Sequence, residues 1–187
     1  MKNLLQFLII LSSLVTFTVS ASGVDDQIEW SKQEYKEIQT YLDEYQRYEF
    51  DYFGKSTEGG VGVGYVSDQG EIRYVEVTLY GESGKWRSEY YFHMNSPFFV
   101  IEQHFRYNVP FYMTEERAKK WFQEDGTVTD FFDPGKTKLS ESSYYFDGEI
   151  LIRIINTENK KAKVDQTGNS VYLDGIENLK RLREKIN

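Results

Sequence analysis

The feature that most restricts this chain's fold is a strand–turn–strand pattern at residues 71–107, repeated in shorter form at 142–155. The first stretch reads EIRYVEVTLYGESGKWRSEYYFHMNSPFFVIEQHFRY and the second SSYYFDGEILIRII. Each carries a Tyr-Tyr-Phe triplet ahead of a turn and an apolar run behind it. Setting Tyr90-Tyr91-Phe92 over Tyr144-Tyr145-Phe146 places Phe98-Phe99-Val100-Ile101 over Ile150-Leu151-Ile152-Arg153, with a slightly longer turn in the first copy. Aromatic and β-branched runs bounded by turn residues are hairpin signals, and Asp147-Gly148 between apolar runs is a strong one. Two similar hairpins predict an antiparallel sheet. They specify no chemistry.

The flanking segments supply helices. Residues 25–49 place Ile28, Tyr35, Ile38, Leu42 and Tyr45 at steps near three and four, with Tyr41 and Tyr48 alongside, which predicts an amphipathic helix. Ser31 and Glu34 form a possible capping box, an alternative start for it. Residues 71–80 predict a strand with Ile72, Tyr74 and Tyr80 on one face and Val75, Val77 and Leu79 on the other, hence a central strand covered on both sides. Gly81-Glu82-Ser83-Gly84-Lys85 is a tight turn into a strand at 86–94, and Asn95-Ser96-Pro97 turns the chain again. Residues 107–112, Tyr-Asn-Val-Pro-Phe-Tyr, predict an extended segment, because the residue before a proline avoids the helical region. Thr114 caps a short helix with Glu115 and Glu116 in its first turn, Ala118, Trp121 and Phe122 on one apolar side, and Asp125-Gly126 at its end. A turn at 130–135 leads to the second hairpin at 139–155, then a charged loop at 156–170 and a short strand at Val171-Tyr172-Leu173. A final helix over 174–186 starts from a capping box at Asp174 and Glu177. The fold class is α+β: an antiparallel sheet built of hairpins, two of them similar, packed by N-terminal and C-terminal helices.

The start of the chain, MKNLLQFLIILSSLVTFTVSAS, has the plan of a secretory signal. Lys2 is the positive n-region, residues 4–19 are apolar apart from Gln6 and small hydroxyls, and Val19-Ser20-Ala21 offers compact residues to a signal peptidase. The apolar run is shorter than the ~20 strongly apolar residues a spanning helix needs. The expectation is a signal peptide at 1–21, cleaved after Ala21, and one α+β domain at 22–187 in the periplasm or outside the cell, with no stable membrane span after processing. With no Cys in the chain, neither disulfides nor acylation on Cys enter, so the core must stabilise the fold. Tyr, Phe and Trp make up 17% of residues, which favours strands. The formal charge is -8, and removing the leader takes away Lys2 and no acid. An acidic exported chain is poorly suited to nucleic acid or anionic lipid, both of which need clustered cations.

Candidate chemistry is sparse. Gly54-Lys55-Ser56-Thr57 matches the end of a P-loop, but Glu49 stands where that motif needs its first glycine. Gly59 to Gly64 lack the third glycine and the following helix of a dinucleotide loop. Both read as a turn leading into a glycine-containing strand. His93, Glu102 and His104 sit on neighbouring strands, yet no Cys and no further His supports a metal site. Asp165, Thr167 and Asn169 begin a calcium-loop pattern that fails at Ser170 and Ile176. No Gly-x-Ser-x-Gly elbow or Cys nucleophile is present. Paired carboxylates such as Glu82 with Glu102 stay open. Neither catalytic nor metal residues are assigned, and no cofactor is expected.

The series Glu58-Gly59-Gly60, Gly81-Glu82-Ser83-Gly84-Lys85, Glu89-Tyr90-Tyr91-Phe92, Tyr107-Asn108-x-Pro110-x-Tyr112 and Tyr144-Tyr145-Phe146-x-Gly148 resembles small exported bacterial proteins of unknown function. The resemblance spans most of the chain after the leader and implies an exported, sheet-based protein with no assigned site. Three functional readings follow from the residues. The leading one is a non-catalytic binding module for another envelope or secreted protein, with Tyr107, Asn108, Pro110 and Tyr112 as contact residues, since a proline-fixed segment presents rings at low entropic cost. The alternative for those rings is packing beneath a loop. The other two readings are an immunity or enzyme-inhibitor protein and a secreted hydrolase using carboxylates on an open sheet face.

Overall fold

The computed structural model describes residues 21–52, 55–157 and 167–187. The expected leader up to Ser20, Gly54 of the P-loop-like stretch, most of the charged loop and Asp165 lie outside these residues. Helix α1 (Ala21–Thr40) leads through a 3-10 turn (Leu42–Glu44) to strand β1 (Gln46–Asp51). Strands β2 (Gly60–Val66), β3 (Ile72–Gly81), β4 (Gly84–His93) and β5 (Ser96–Arg106) follow. Helix α2 (Glu115–Asp125) precedes β6 (Lys138–Asp147), β7 (Ile150–Asn156) and helix α3 (Thr167–Ile186). The seven strands form one antiparallel sheet in sequence order. Helices α1 and α3 cover its two faces, which is the α+β arrangement expected from the hairpins.

The echo between the hairpins is deeper than the sequence alignment suggests. Pairing shifts by one residue after Tyr65, after Tyr91 and after Tyr145, so each of three hairpins carries a bulge at the same place. Tyr65 pairs with Tyr74 while Val66 pairs with Ile72, leaving Arg73 as the extra residue. By the same rule Phe98 is extra in β5 and Ile152 in β7. A bulge reverses the in–out alternation beyond it. Ile72 is therefore packed with the α3-side core and not with Tyr74, contrary to the simple alternation expected for that strand. The bulges also correct the alignment of the two Tyr-Tyr-Phe hairpins. Both have two-residue turns, Met94-Asn95 and Gly148-Glu149, and Phe99 corresponds to Arg153. Met94 and Asn95 both have positive φ, as a type I′ turn requires, so Ser96 and Pro97 are already in the strand.

On the α1 side this register lines up one ring per strand. Tyr65, Tyr74, Tyr91, Phe99 and Tyr145 follow one another across β2 to β6, with centroid separations of 5.5, 4.9, 5.6 and 4.7 Å. Arg47 and Arg153 occupy the two ends of the row. Such ring pairs contribute roughly 0.5–1.5 kcal/mol each beyond their area burial. Tyr35 of α1 stands edge-on above Tyr91 and Phe99 at 4.9 and 5.4 Å, and Trp30 meets Phe98 at 5.1 Å. Ile28, Ser31 and Ile38 are buried against the sheet. Arg73, aimed at the helix by its bulge, pairs with Glu34, and Arg153 holds Asp25 at 2.8 Å.

Two helix boundaries differ from expectation, for one reason. Tyr45 and Tyr48 were expected on the first helix, but α1 stops at Thr40 and Gln46–Asp51 is a strand. Tyr48 and Phe50 of β1, and Tyr52 just beyond it, alternate and pack on the α3 side, so pairing with β2 overrode a helix-like spacing. Ser31 lies inside α1, donating to the Gln27 carbonyl at 2.9 Å, and caps nothing. At the other end, Val171-Tyr172-Leu173 belongs to α3, which begins at Thr167. Its buried stripe, Val171, Tyr172, Asn178, Leu179 and Leu182, continues a helical spacing through Asp174 and Glu177, which instead hold Lys55 at 3.1 and 3.3 Å.

Close approach of α3 to the sheet rests on two glycines. A Cβ on Gly175 would lie 3.0 Å from both Tyr90 and Pro97, and one on Gly64 would lie 2.1 Å from Leu182 Cδ2. Of the Gly-x-Gly-x-Gly stretch, Gly64 is therefore the bed of the helix, while Gly62 makes room for the Phe50 ring. G64A should lower the free energy of unfolding by about 1–3 kcal/mol through overpacking, and L182A by about 2–5 kcal/mol through a cavity. The double variant should lose less than the sum, because the new methyl group enters the space Leu182 leaves. Urea unfolding of the four proteins measures this; strict additivity would mean that the two residues do not meet.

Candidate interaction surface

Because α1 and α3 sit over the bulged end of the sheet, the other end is left without a helix on either face. On the α1 side, successive cross-strand rows below the rings are Glu76–Glu89–Ile101–Ser143, then Thr78–Arg87–Gln103–Glu141, then Tyr80–Lys85–Phe105–Leu139. On the α3 side the rows are Ser88–Glu102–Ser142, Trp86–His104–Ser140 and Gly84–Arg106–Lys138. Beyond β5 the chain leaves the sheet for residues 107–137 and returns as β6.

The carboxylates in these rows are compensated or separated. Glu76 and Glu89 are directly opposed, and Arg87 bridges them at 2.7 and 3.1 Å. Tyr74 donates its hydroxyl to Glu76 at 3.2 Å and Tyr91 to Glu89 at 2.7 Å, while Gln39 of α1 donates to the Tyr91 oxygen at 2.9 Å. Burial raises the Tyr74 and Tyr91 hydroxyl pKa values well above the ordinary tyrosine range, with nearby Glu89 adding to both. Glu102 lies on the opposite face. Its pKa is raised, chiefly by burial and to a smaller degree by Asp174, against a lowering by the hydrogen bond from Tyr144. Glu82, at the β3–β4 turn, is not brought to Glu102, which pairs with Ser88 far along β4. The acids that meet on the α1 side share an arginine, whereas the desolvated Glu102 on the α3 side has Asp174 as an acidic neighbour.

The histidines are also apart. His93 adjoins the Met94-Asn95 turn, with Nδ1 3.5 Å from Glu34 and its ring against Trp30 at 5.3 Å. His104, at the opposite end of the same hairpin, stacks on Trp86 at 3.9 Å with an interplanar angle of 8°. Among the described residues no group of three or more His, Asp or Glu is placed to hold a metal ion.

The excursion at 107–137 is built from its own small contacts. Tyr107 and Phe111 donate their backbone N–H groups to the carbonyls of Ser83 and Glu82, both at 2.9 Å, tying the segment to the β3–β4 turn. It bends rather than running extended, since Met113 closes a turn onto Pro110 at 2.9 Å. Asn108 is a clamp: its amide donates to the Phe131 carbonyl at 2.8 Å and to Asp130 at 3.1 Å, and its oxygen accepts from the Asp133 N–H at 3.1 Å. Tyr107 packs edge-on against Phe132 at 4.9 Å, beneath that same loop, as the alternative for these rings proposed. Pro110 is half-buried and Tyr112 exposed, with Arg117 5.3 Å over the Tyr112 ring. Thr114 caps α2 by accepting from the Arg117 N–H at 3.2 Å, and Gly126 ends it in a left-handed conformation, both as expected.

The apolar side of α2 does not face the sheet. Ala118 is buried against the excursion, whereas Phe122 is 60% exposed, Val128 85%, Phe111 45% and Phe131 37%. Ala118, Phe122, Val128 and Phe131, with Glu115 and Lys119 at the edge, line a 360 Å³ groove. Phe122 was expected on the apolar side of this helix and Phe131 in a turn; their clustering with Val128 depends on a loop whose course no periodicity announces. An apolar patch of this kind, rimmed by charge, marks a contact surface more often than a folding requirement.

No family model, curated protein or solved structure matches the chain. Among the described residues, no helix is long and apolar enough to cross a membrane.

Glu102 yields a pH prediction. Its carboxyl holds a proton more tightly in the folded state than in the unfolded chain, where the value is about 4.3. The folded state then binds more protons across the interval above that value, so this group's contribution to stability falls as pH rises through it. E102Q should remove that slope, gaining on the native protein from about pH 4 upward until the raised folded value is passed. Urea unfolding of both proteins between pH 4 and 8 measures it; parallel profiles would mean that Glu102 ionises without penalty.

Proposed function

We propose that the chain is an exported, non-catalytic binding module that meets another envelope or secreted protein through the excursion at 107–137. The observation that carries this reading is the group of exposed apolar side chains around α2, Phe122, Val128 and Phe131 with Phe111 and Tyr112, on an element the sheet does not need. Export rests on the leader, with Lys2, its apolar run and Val19-Ser20-Ala21. Of the residues expected to make contact, Tyr112 belongs to this surface, while Tyr107, Asn108 and Pro110 hold it in shape. An immunity or inhibitor protein is one form of this reading, in which the partner is a toxin or hydrolase encoded nearby. The Arg87 bridge argues against Glu76 and Glu89 as the carboxylate pair of a hydrolase, since a general acid needs a carboxyl free to hold its proton.

The test is capture from envelope extract by the mature chain, residues 22–187, with cross-linking and mass spectrometry. One protein should be enriched, and its affinity should fall about tenfold or more in F122A/F131A, as for hot-spot residues. Y80A, exposed on the sheet, should leave capture unchanged. Both substitutions are at exposed positions and should shift unfolding by only ~0.5 kcal/mol. Capture that survives F122A/F131A but is lost in Y80A would move the contact surface to the sheet.

A further inference from the structure

On the α3 side of the helix-free end, Arg106 of β5 and Lys138 of β6 are directly opposed, the last pair of that ladder. Like charges in this relation repel, because opposed side chains in an antiparallel pair start only ~5 Å apart. The chain carries 30 acids against 22 cations, so an acidic neighbour would be easy to supply. Yet among the described residues neither Arg106 nor Lys138 has a carboxylate within 4 Å, while Lys136 beside them is held by Asp130 at 3.2 Å. Arg106, Lys136 and Lys138, with Tyr107 and Asn108, line a 710 Å³ hollow. Asp130 at its edge is engaged by Lys136 and by the Asn108 amide, which leaves the hollow net positive on an acidic protein.

The same face continues into rings and a hydroxyl. His104 lies two residues before Arg106 and Ser140 two residues after Lys138, so both project on the same side, about 7 Å along the strands. His104 is stacked on Trp86, which is 50% exposed. A guanidinium fork opposite an ammonium suits one oxyanion, which the fork can grip with two parallel hydrogen bonds. An anion lodged between the two cations turns their repulsion into a bridge. The spacing to the rings then sets the rest of the ligand at about the size of one sugar.

We propose that Arg106 and Lys138 bind the carboxylate or phosphate of a small soluble ligand, such as a uronic acid or a sugar phosphate, whose ring lies toward Trp86 and His104. This goes beyond the protein-binding reading and does not depend on it, because it uses the sheet face and not the α2 groove.

Isothermal titration of the mature chain with glucose 6-phosphate, glucuronate and neutral glucose tests it, at low salt and at 0.5 M salt. The two anions should bind saturably and glucose should not, and high salt should weaken the binding. R106Q and K138E should each weaken it about tenfold or more. K138E should in addition raise the melting temperature, because it replaces a like-charge pair with an ion pair at an exposed position, so its readout stands even if R106Q folds poorly. Co-sedimentation with phosphatidylglycerol vesicles separates a lipid headgroup from a soluble ligand. The proposal is overturned by no saturable binding of either anion, by equal binding of glucose, by binding undiminished in both variants, or by binding to vesicles alone.

Discussion

The row of rings across β2 to β6 is the contact on which the rest of this structure depends. Five aromatic side chains can meet side by side, tilted by 34–47°, only if every strand is in register at that level, so the row fixes five strands at once. A slip of one residue in any strand would turn its ring to the other face and break its contacts with the neighbouring rings. The bulges immediately beyond the row belong to the same constraint. In each of three hairpins the extra residue lets the turn close while the rings stay aligned, and it sends an additional side chain toward α1. Phe98 and Ile152 fill space under that helix, and Arg73 reaches Glu34.

Helix placement follows from this. With rings and bulge residues raised on one face at one end, α1 has an apolar floor only there. On the other face, Tyr90, Phe92, Val100, Tyr144 and Phe146 offer α3 its floor at the same end, and Gly64 and Gly175 bring helix and sheet close. Farther down the strands, the side chains become Arg87, Gln103, Glu141, Ser88, Glu102 and Ser140, which no helix could cover without stranding charge. The division into a packed end and a polar end is therefore written strand by strand.

Much of this was legible. Hairpins are local, so the triplets Tyr90-Tyr91-Phe92 and Tyr144-Tyr145-Phe146, the Asp147-Gly148 tip and the Thr114–Gly126 helix signals could be read from neighbours in sequence. What could not be read was anything decided by pairing partners. Tyr48 fits a helical stripe as well as a strand, and only β2 alongside it settles the matter. The bulges leave no local mark, so Ile72 was put on the wrong face and the two hairpins were aligned out of step. The segment at 107–112 was expected to run extended but turns at Pro110, and which of its rings face outward depends on the Asn108 clamp, a bond to residues more than twenty positions away.

The excursion and the cationic pair pose the same physical question in opposite terms. The exposed parts of the Phe122 and Phe131 rings add little to folding, since they touch water in the folded and unfolded chain alike. Opposed cations at Arg106 and Lys138 are slightly worse than neutral for the fold. Neither arrangement is explained by the stability of the chain alone, whereas the sheet's packed end is explained by little else. A protein with a tightly specified core at one end can hold unfavourable groups at the other in fixed geometry. The strand register that aligns the tyrosines also sets the spacing between Arg106, Lys138 and the Trp86–His104 stack. The geometry of the cationic pair is thus inherited from the ring row, while the excursion adds its own support through the Asn108 clamp.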